Sequence, residues 1–347
     1  MGKIISGHDR SSAIDKFILE SIAAGHQKDL VTYVAGKLGL TRQAIYLHVR
    51  KLIHMEKIVA AGKTKSRTYR LKQDTHEINL RITPDLEEHV IWEQQIQPFL
   101  PEIRKNIFDI CSHGFTEIVN NVIDHSEGTF FRISIMQTPL SITIGVEDNG
   151  VGIFNKLKQK FGFEDEHHAA LELAKGKLTT DKQRHSGEGI FFTSRMFDEL
   201  AIFSRGFIFI HEKNDWIVKT EGAENTIGTL VRMNIRFDSK RTSQSVFDEF
   251  ATDEDFGFVR TMVPIKLAKY GDINLVSRSQ AKRVLARLDR FQIVLLDFKD
   301  VYTTGQDFAE EVFRVFILAH PACPLQSDQT NRPPPLVLDD GNADPSR

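Results

Sequence analysis

The stretch from Phe115 to His125 constrains this chain more than any other feature. Its apolar residues recur at the spacing of one helical stripe, namely Phe115, Ile118, Val119, Val122 and Ile123. Glu117, Asn121 and His125 are four residues apart, so a helix stacks them on its other face, with Asp124 beside them. That face holds carboxylate and amide groups without Lys or Arg, which suits an oxygen-ligand site for Mg²⁺. A solvated polar face stays open as the alternative.

An acidic turn with two glycines follows further along the chain. Residues 141–147 alternate as a strand, and Asp148 stands at its end, where a buried carboxylate can accept a hydrogen bond from a base amine. Gly150 and Gly152 allow the backbone to approach a ligand because no Cβ is present. Asp-Asn-Gly is also ordinary turn chemistry, so this element alone is a weak signal.

A third element, residues 185–189, contains two more glycines and precedes an apolar helix predicted over Ile190–Phe197. Backbone N–H groups at such a helix start bind phosphate. The three elements, in this order and at these spacings, predict a nucleotide pocket.

The three elements resemble the N box and the two glycine boxes of the GHKL ATPases, a family that includes gyrase, MutL-type repair proteins, histidine kinases and anti-sigma serine kinases. The resemblance covers residues 78–240. It implies an α/β sandwich, with helices on one face of a mixed sheet and a mobile lid over ATP. Glu117 matches the general base, Asn121 the Mg²⁺-ligating asparagine and Asp148 the adenine-binding aspartate, so ATP and Mg²⁺ are the implied cofactors.

The resemblance implies further contacts with the nucleotide. Glu117 would contact Mg²⁺ through water, and Lys177 of the lid segment 154–184 would contact phosphate, as would Lys175, Lys182 or Arg184; a solvated charge run is the alternative for these residues. Glu188 stands between the glycines of the second box, where a third glycine is missing. The other implied contacts are Asp124, His125, Gly150, Gly152, Gly187, Gly189 and Thr229.

The first 73 residues predict three helices and a basic hairpin. The expected helices are Ala13–Ala24, Leu30–Leu38 and Arg42–His54, the last capped by Thr41, and the strands are Ile58–Ala61 and Arg67–Leu71. This arrangement resembles the winged helix-turn-helix of small bacterial repressors. The resemblance implies that the third helix enters the major groove and that the hairpin follows the DNA backbone.

The local charge supports double-stranded DNA as a partner. Nine residues between Leu40 and Lys72 are basic and only Glu56 is acidic, although the whole chain has a formal net charge of −2. His48 points away from the apolar stripe and could reach base edges or sugar. The predicted DNA contacts are Arg42, Gln43, Tyr46, Arg50, Lys63, Lys65 and Arg67. A winged helix that binds protein is the alternative.

The C-terminal part predicts a small α/β domain. A buried strand over Phe291–Phe298 leads through a hydroxyl-rich turn to a helix over Asp307–Leu318. This order resembles the STAS fold of anti-anti-sigma factors, and closely the STAS-like domain that often follows a GHKL module. The resemblance implies a protein partner and makes Thr303 and Thr304 candidate phospho-acceptors. Alternatively, Thr304 only caps the helix.

These signals predict a multidomain α+β protein. The expected parts are a winged helix (1–73), a linker or helix (74–100), a GHKL domain (101–240, or from 78), a STAS-like domain (241–325) and a disordered tail (326–347). The two cysteines lie far apart, which fits a reducing cytosol. No apolar run reaches the length of a membrane span, so we expect a cytoplasmic location without a membrane partner.

The sequence therefore predicts an ATP-binding, DNA-binding regulator in which Mg-ATP closes the lid and changes how the domains pack. Two enzymatic alternatives are open. One is an atypical Ser/Thr kinase of the anti-sigma type that acts on Thr303, Thr304 or a partner. The other is a slow ATPase that dimerises to clamp DNA, which leaves a homodimer open as well.

Overall fold

The computed structural model describes residues 7–100, 102–178, 187–220, 227–250, 258–269, 275–320, 325–327 and 336–337. Residue contacts divide the chain into two compact units. Unit 1 combines Met1–Glu77 with Ser134–Thr143 and Ile235–Asp238, and unit 2 combines Ile78–Ile133, Ile144–Asn234 and Ser239–Arg347.

The first part of unit 1 is three helices and a hairpin. Its elements are α1 (Gly7–Ala23), α2 (Leu30–Leu38), α3 (Arg42–His54), β1 (Ile58–Ala61) and β2 (Thr68–Leu71). Ile18, Leu30 and Val49 bury the apolar faces of the three helices against one another. Thr41 caps α3, since its Oγ1 accepts from the Ala44 N–H at 3.2 Å. All five predicted elements are present, although α1 runs from Gly7 to Ala23 rather than from Ala13 to Ala24, and β2 begins at Thr68 rather than Arg67.

Seven strands form the main sheet. In chain order they are β3 (Asp74–Arg81), β4 (Phe130–Gln137), β5 (Ser141–Asp148), β6 (Glu199–Ser204), β7 (Phe207–Glu212), β8 (Asp215–Lys219) and β9 (Thr229–Arg236). In space the order is β3-β4-β5-β9-β6-β7-β8. The edge strand β3 thus occupies residues that we had assigned to a linker or helix.

The sheet is antiparallel, so the expected mixed sheet is wrong. β6 runs antiparallel to both β7 and β9, and β7 runs antiparallel to β8. Thr138 N–H bonds to Ser141 O at the β4–β5 turn, and Phe237 N–H bonds to Leu140 O where the end of β9 meets the start of β5. Hairpins and the insertion of β9 beside β5 replace the parallel crossovers that a mixed sheet needs.

The helices of unit 2 begin with α4 (Glu88–Ile91), α5 (Lys105–His125), α6 (Ile153–Phe161), α7 (Glu166–Lys175), α8 (Gly189–Met196) and α9 (Ser243–Phe250). The predicted stripe of α5 is buried through Phe115, Ile118 and Val119. Trp92 packs on this helix, with its ring centroid 5.4 Å from that of Phe115. The polar face of α5 is therefore left to line a cavity.

The C-terminal part of unit 2 is a small α/β arrangement. Its elements are β10 (Arg260–Pro264), α10 (Arg278–Leu285), β11 (Ile293–Asp297), β12 (Thr304–Gly305), α11 (Gln306–Glu310), α12 (Phe316–Ala319), β13 (Leu325–Ser327) and β14 (Leu336–Val337). A π-helical segment, Glu311–Val315, joins α11 to α12. β11 pairs in parallel with β10 and with β13.

The tail differs in two places from the expected disorder. Gln326 and Ser327 belong to β13, which pairs in parallel with β11. Leu336 and Val337 form β14, which pairs in parallel with Thr304 and Gly305 of β12. Backbone hydrogen bonds to a buried strand order these two residues, although the local composition carries no strand signal. The remaining residues after Ser327 lie outside the described part of the chain.

Candidate functional site

The polar face of α5 opens onto a cavity of about 380 Å³, called here the α5 cavity. It collects residues from all three elements that the sequence singled out. Nine of the twelve predicted nucleotide-site residues line it, namely Glu117, Asn121, His125, Asp148, Gly152, Gly187, Glu188, Gly189 and Thr229. The helical spacing and the two glycine-containing segments thus converge on one site.

Asp148 is fixed at the end of β5 by backbone donors. Its Oδ1 accepts from the N–H of Gly150 at 2.7 Å and of Thr229 at 3.3 Å, which leaves Oδ2 to accept from a ligand. Burial raises the pKa of this carboxyl, and the two N–H bonds oppose that rise. Thr229 is held in turn, because its Oγ1 accepts from the Ile153 N–H at 2.9 Å. Gly150 orients the Asp148 carboxylate through its N–H group but does not itself line the cavity.

Glu117 lies against the backbone at the start of α8. A Cβ added to Gly189 would lie 2.1 Å from Glu117 Oε2, so a larger residue at this position would displace the end of the Glu117 side chain. The unpaired N–H groups at a helix start attract negative charge, and the Glu117 carboxylate lies against this one. This carboxylate, Asn121 and the phosphate-compatible helix start therefore share one wall.

Two titratable lining residues, His113 and Lys156, carried no prediction. His113 precedes Glu117 by one turn, and its Nε2 is buried without a hydrogen-bond partner among the described residues. Burial lowers the pKa of His113, so its imidazole is neutral at pH 7. Lys156 of α6 donates from Nζ to His125 O at 2.6 Å and pairs with Glu127 at 2.8 Å. Helical spacing could have identified His113, whereas Lys156 carries no such signal.

Three predicted residues do not line the cavity. Besides Gly150, these are Asp124, whose side chain is exposed, and Lys177. The Lys177 Nζ donates to Arg290 O at 2.9 Å and lies 4.7 Å from the centroid of the Phe291 ring. Lys182, Arg184 and the first two residues of the second glycine box lie outside the described part of the chain.

Lys175 forms a buried charge cluster instead of reaching for phosphate. Lys175 is 1% exposed and Glu172 is 2% exposed. The Lys175 Nζ donates to Glu172 Oε1 at 2.5 Å, to Arg283 O at 2.9 Å and to Ala286 O at 3.0 Å. Arg287 Nε adds a second cation, 3.5 Å from Glu172 Oε2. This cluster ties α7 to the backbone around the end of α10.

Glu117 and Asn121 supply only part of the ligand set that a metal ion needs. Among the described residues, no group of three or more His, Cys, Asp or Glu side chains could hold a metal ion. Mg²⁺ is commonly bound through one or two protein oxygens together with substrate phosphates and water. The two side chains therefore fit a Mg²⁺ ion that shares its ligands with a nucleotide.

The predicted DNA-contacting residues lie on α3 and the hairpin. Arg42, Gln43 and Arg50 are exposed, and Tyr46 is 37% exposed, on the side of α3 away from its buried stripe. The backbone near Lys63 is shaped by a short turn in which Ser66 Oγ donates to Lys63 O at 2.9 Å. The side chain of Lys65 lies outside the described part.

Arg67 and His48 of this region each contact another side chain of unit 1. Arg67 is half-buried, and its guanidinium lies 3.5 Å from the Tyr46 hydroxyl and 5.6 Å from the centroid of the Tyr69 ring. His48 Nδ1 lies 2.6 Å from Asp15 Oδ1 of α1. This bond holds α3 to α1 and engages Nδ1 of the ring, while contact of His48 with a base stays a prediction.

The two candidate phospho-acceptors differ in exposure. Thr304 is 2% exposed within β12 and pairs with Leu336. The helix that follows begins after Gly305, with no side-chain cap, so capping by Thr304 is wrong. Thr303 is half-buried. Of the two hydroxyls, Thr303 is the more accessible.

Comparison with known proteins identifies one part of the chain. A family model described as a STAS-like domain of unknown function (DUF4325) matches residues 280–326, which run from α10 to β13. No curated protein matches the chain. Within the described residues, every helix is too short or too polar to cross a membrane.

Proposed function

We propose that the protein is a cytosolic regulator that binds Mg-ATP in a GHKL-type pocket and DNA through a winged helix. The observation that carries this proposal is the α5 cavity, in which Glu117 and Asn121 of α5 meet Asp148 of β5. Its volume of about 380 Å³ falls in the range of small-ligand pockets. The STAS-like part would supply the surface for a protein partner.

Each lining group has a chemical task in this proposal. Asp148 Oδ2 accepts the exocyclic amine of adenine, and Asn121 offers its amide oxygen to Mg²⁺. The N–H groups at the start of α8, flanked by Gly187 and Gly189, donate to phosphate. Glu117 orients a water molecule or a substrate hydroxyl and takes its proton.

Strand β9 offers a route from the nucleotide to the DNA-binding part. It begins at the α5 cavity with Thr229 and ends at Arg236, which pairs with Glu20 of α1 at 2.8 Å. A second pair, Lys16 to Asp238 at 2.6 Å, supports the same connection. Moving an equilibrium between two arrangements from 1:99 to 99:1 needs about 5.5 kcal/mol of differential binding. A nucleotide held by several charged contacts can supply that difference.

Incubation with γ-labelled ATP separates the regulator from the two enzymes. Label on the protein supports the kinase, provided that it is lost in the Thr303→Ala, Thr304→Ala double variant. Release of free phosphate without protein label supports the ATPase. If neither occurs and DNA binding depends on nucleotide, ATP acts only as a ligand. The burial of Thr304 disfavours it as an acceptor.

Replacing Asp148 by Asn is expected to change the preferred base. The Asn oxygen must accept from the N–H groups of Gly150 and Thr229, so the amide NH₂ replaces Oδ2. That NH₂ opposes the adenine amine but matches the carbonyl of hypoxanthine. We expect ATP affinity to fall on the order of tenfold to a hundredfold and ITP to bind more tightly than ATP. Calorimetric titration of both nucleotides measures this, and an unchanged ratio of affinities would contradict the assignment.

Replacing Lys63 and Lys65 by Ala is expected to weaken DNA binding to a similar extent for every sequence. Loss of two phosphate contacts should reduce the slope of log K against log salt by about 1.8. The measurement is fluorescence anisotropy with two unrelated duplexes between low and moderate salt. The Lys160→Ala, Lys219→Ala variant removes the same charge from two exposed positions outside this surface and serves as the control. A loss confined to one duplex would argue against contact with the DNA backbone.

A further inference from the structure

A second cavity, of about 260 Å³, shares no lining residue with the α5 cavity. It is called here the Arg195 cavity. Its lining includes Arg195 of α8 and Trp216 of β8, together with Pro264 and Asp297, the last residues of β10 and β11. Ligands of parallel α/β sheets bind beyond the carboxyl ends of the strands, which is where these two residues stand.

Arg195 is a cation without an ion-pair partner among the described residues. Its Nη1 donates to Phe191 O at 2.9 Å and to Ser194 Oγ at 3.3 Å. The guanidinium lies 3.4 Å from the centroid of the Phe191 ring and 5.0 Å from that of Phe250. Burial lowers the pKa of Arg195 to about 9. The rings stabilise the cation in part, and the remaining N–H groups are left for an anion.

The neighbouring cation in the cavity already has a partner. Arg241 donates to Asp198 Oδ1 at 2.6 Å and to Phe197 O at 3.1 Å. Asn214 and Ser245 add neutral hydrogen-bonding groups to the lining. Arg195 is therefore the lining cation most suited to hold an incoming negative group.

The rest of the lining offers acceptors. His211 is 4% exposed, and its Nδ1 lies 2.6 Å from Ser194 O, so Nδ1 carries the proton and Nε2 accepts. Burial and the nearby Arg195 lower the pKa of His211 to about 3, which keeps the ring neutral at pH 7. Asp297 and Glu249 place carboxylates on the lining. A bound anion would thus meet acceptors for a donor group of its own.

We propose that the Arg195 cavity binds a small organic anion that pairs with Arg195 and carries an amine or hydroxyl group toward Asp297 or His211. The volume of about 260 Å³ lies below the usual range for drug-sized ligands, which limits the occupant to a small metabolite. The anionic group is a carboxylate or a phosphate, since both match a guanidinium fork. The proposal does not depend on nucleotide binding in the α5 cavity.

Tryptophan fluorescence tests this proposal in the full chain. The chain has two tryptophans, so a Trp92→Phe variant leaves Trp216 as the single tryptophan. Trp216 lines the cavity, and its ring centroid lies 4.4 Å from that of Phe209. Inorganic phosphate represents the phosphate arm and glycolate the carboxylate arm, each titrated against KCl of equal ionic strength. We expect a saturable change with at least one of the two anions, and the arm that saturates identifies the anionic group.

Substitutions in the same background assign the signal. Arg195→Gln is expected to weaken binding of the anion that saturates by at least tenfold. Asn214→Asp should also weaken its binding, because it adds a negative charge to the lining at nearly constant shape. Arg232→Gln, at an exposed position of β9, should bind like the parent. Circular dichroism identifies a variant that fails to fold, in which case Asn214→Asp decides. The proposal is overturned if neither anion saturates beyond KCl, or if the folded cavity variants titrate like the parent.

Discussion

Replacing Lys175 by Met is expected to lower the free energy of unfolding by about 3–5 kcal/mol, because it leaves one charge of a buried pair alone. Glu172 is 2% exposed and would keep, of the cations in the described part of the chain, Arg287 at 3.5 Å. The carbonyls of Arg283 and Ala286 would lose their donor as well. Urea unfolding followed by circular dichroism measures the change.

Two further variants distinguish the effect of breaking the buried pair from the effect of removing a positive charge. Lys158→Met removes an ion pair with Glu166 whose side chains are 32% and 38% exposed, and its effect should stay within about 1 kcal/mol. The Glu172→Met, Lys175→Met double variant removes both charges and should recover much of the stability lost in the single variant. If the Lys175→Met variant is as stable as the Lys158→Met variant, the buried cluster does not stabilise the fold as argued.

The buried pair also connects the STAS-like part with the α5 cavity. α7 carries both charges of the pair, and Leu173 of the same helix lines the α5 cavity. The partner carbonyls follow in or just after α10, within the segment that matches the STAS-like family. A partner that shifts α10 would therefore move a wall of the α5 cavity. This gives the proposed regulator an input other than ATP.

Local periodicity predicted the centre of the site. Glu117, Asn121 and His125 share a face because residues four apart stack on any α-helix, whatever surrounds it. Asp148 was located in the same way, since a strand that ends at a glycine turn places its last side chain at the edge of the sheet. Such features need only neighbouring residues and could be found without the structure.

The contacts of Lys175 and Lys177, in the segment that we expected to form a lid, could not be predicted in this way. Lys175 and Lys177 both belong to one basic stretch, yet one is buried and the other lies over aromatic rings. Their acceptors, the carbonyls of Arg283 and Arg290, are 108 and 113 residues away in sequence. Only tertiary packing brings such groups together, so composition made the two lysines look like phosphate ligands.

The direction of the sheet and the Arg195 cavity escaped prediction for the same reason. The alternating pattern of a half-buried strand does not reveal its neighbour, so β9 could not be placed between β5 and β6. Arg195, His211 and Asp297 come from three elements with no common spacing. A site of this kind becomes visible only when the elements that carry it are packed.

Replacing Asn121 by Ala is expected to abolish Mg-ATP binding, the largest functional effect that the α5 cavity predicts. Asn121 lines this cavity one turn after Glu117 and is the only amide that the GHKL resemblance assigns to the metal. Ala offers no oxygen, and the phosphate charge would then lack its link to α5. Isothermal titration calorimetry in the presence of Mg²⁺ measures the loss.

The matched control is the adjacent Asn120→Ala, because Asn120 belongs to the same helix but does not line the cavity. Its Mg-ATP affinity should equal that of the parent. Asn121→Asp keeps an oxygen ligand at the same position and should restore part of the affinity. Because Asn121 acts through the metal, parent and Asn121→Ala should bind nucleotide alike once EDTA removes Mg²⁺. An Asn121→Ala variant that binds Mg-ATP as tightly as the parent would show that the metal lies elsewhere, and the nucleotide pocket would lose its central residue.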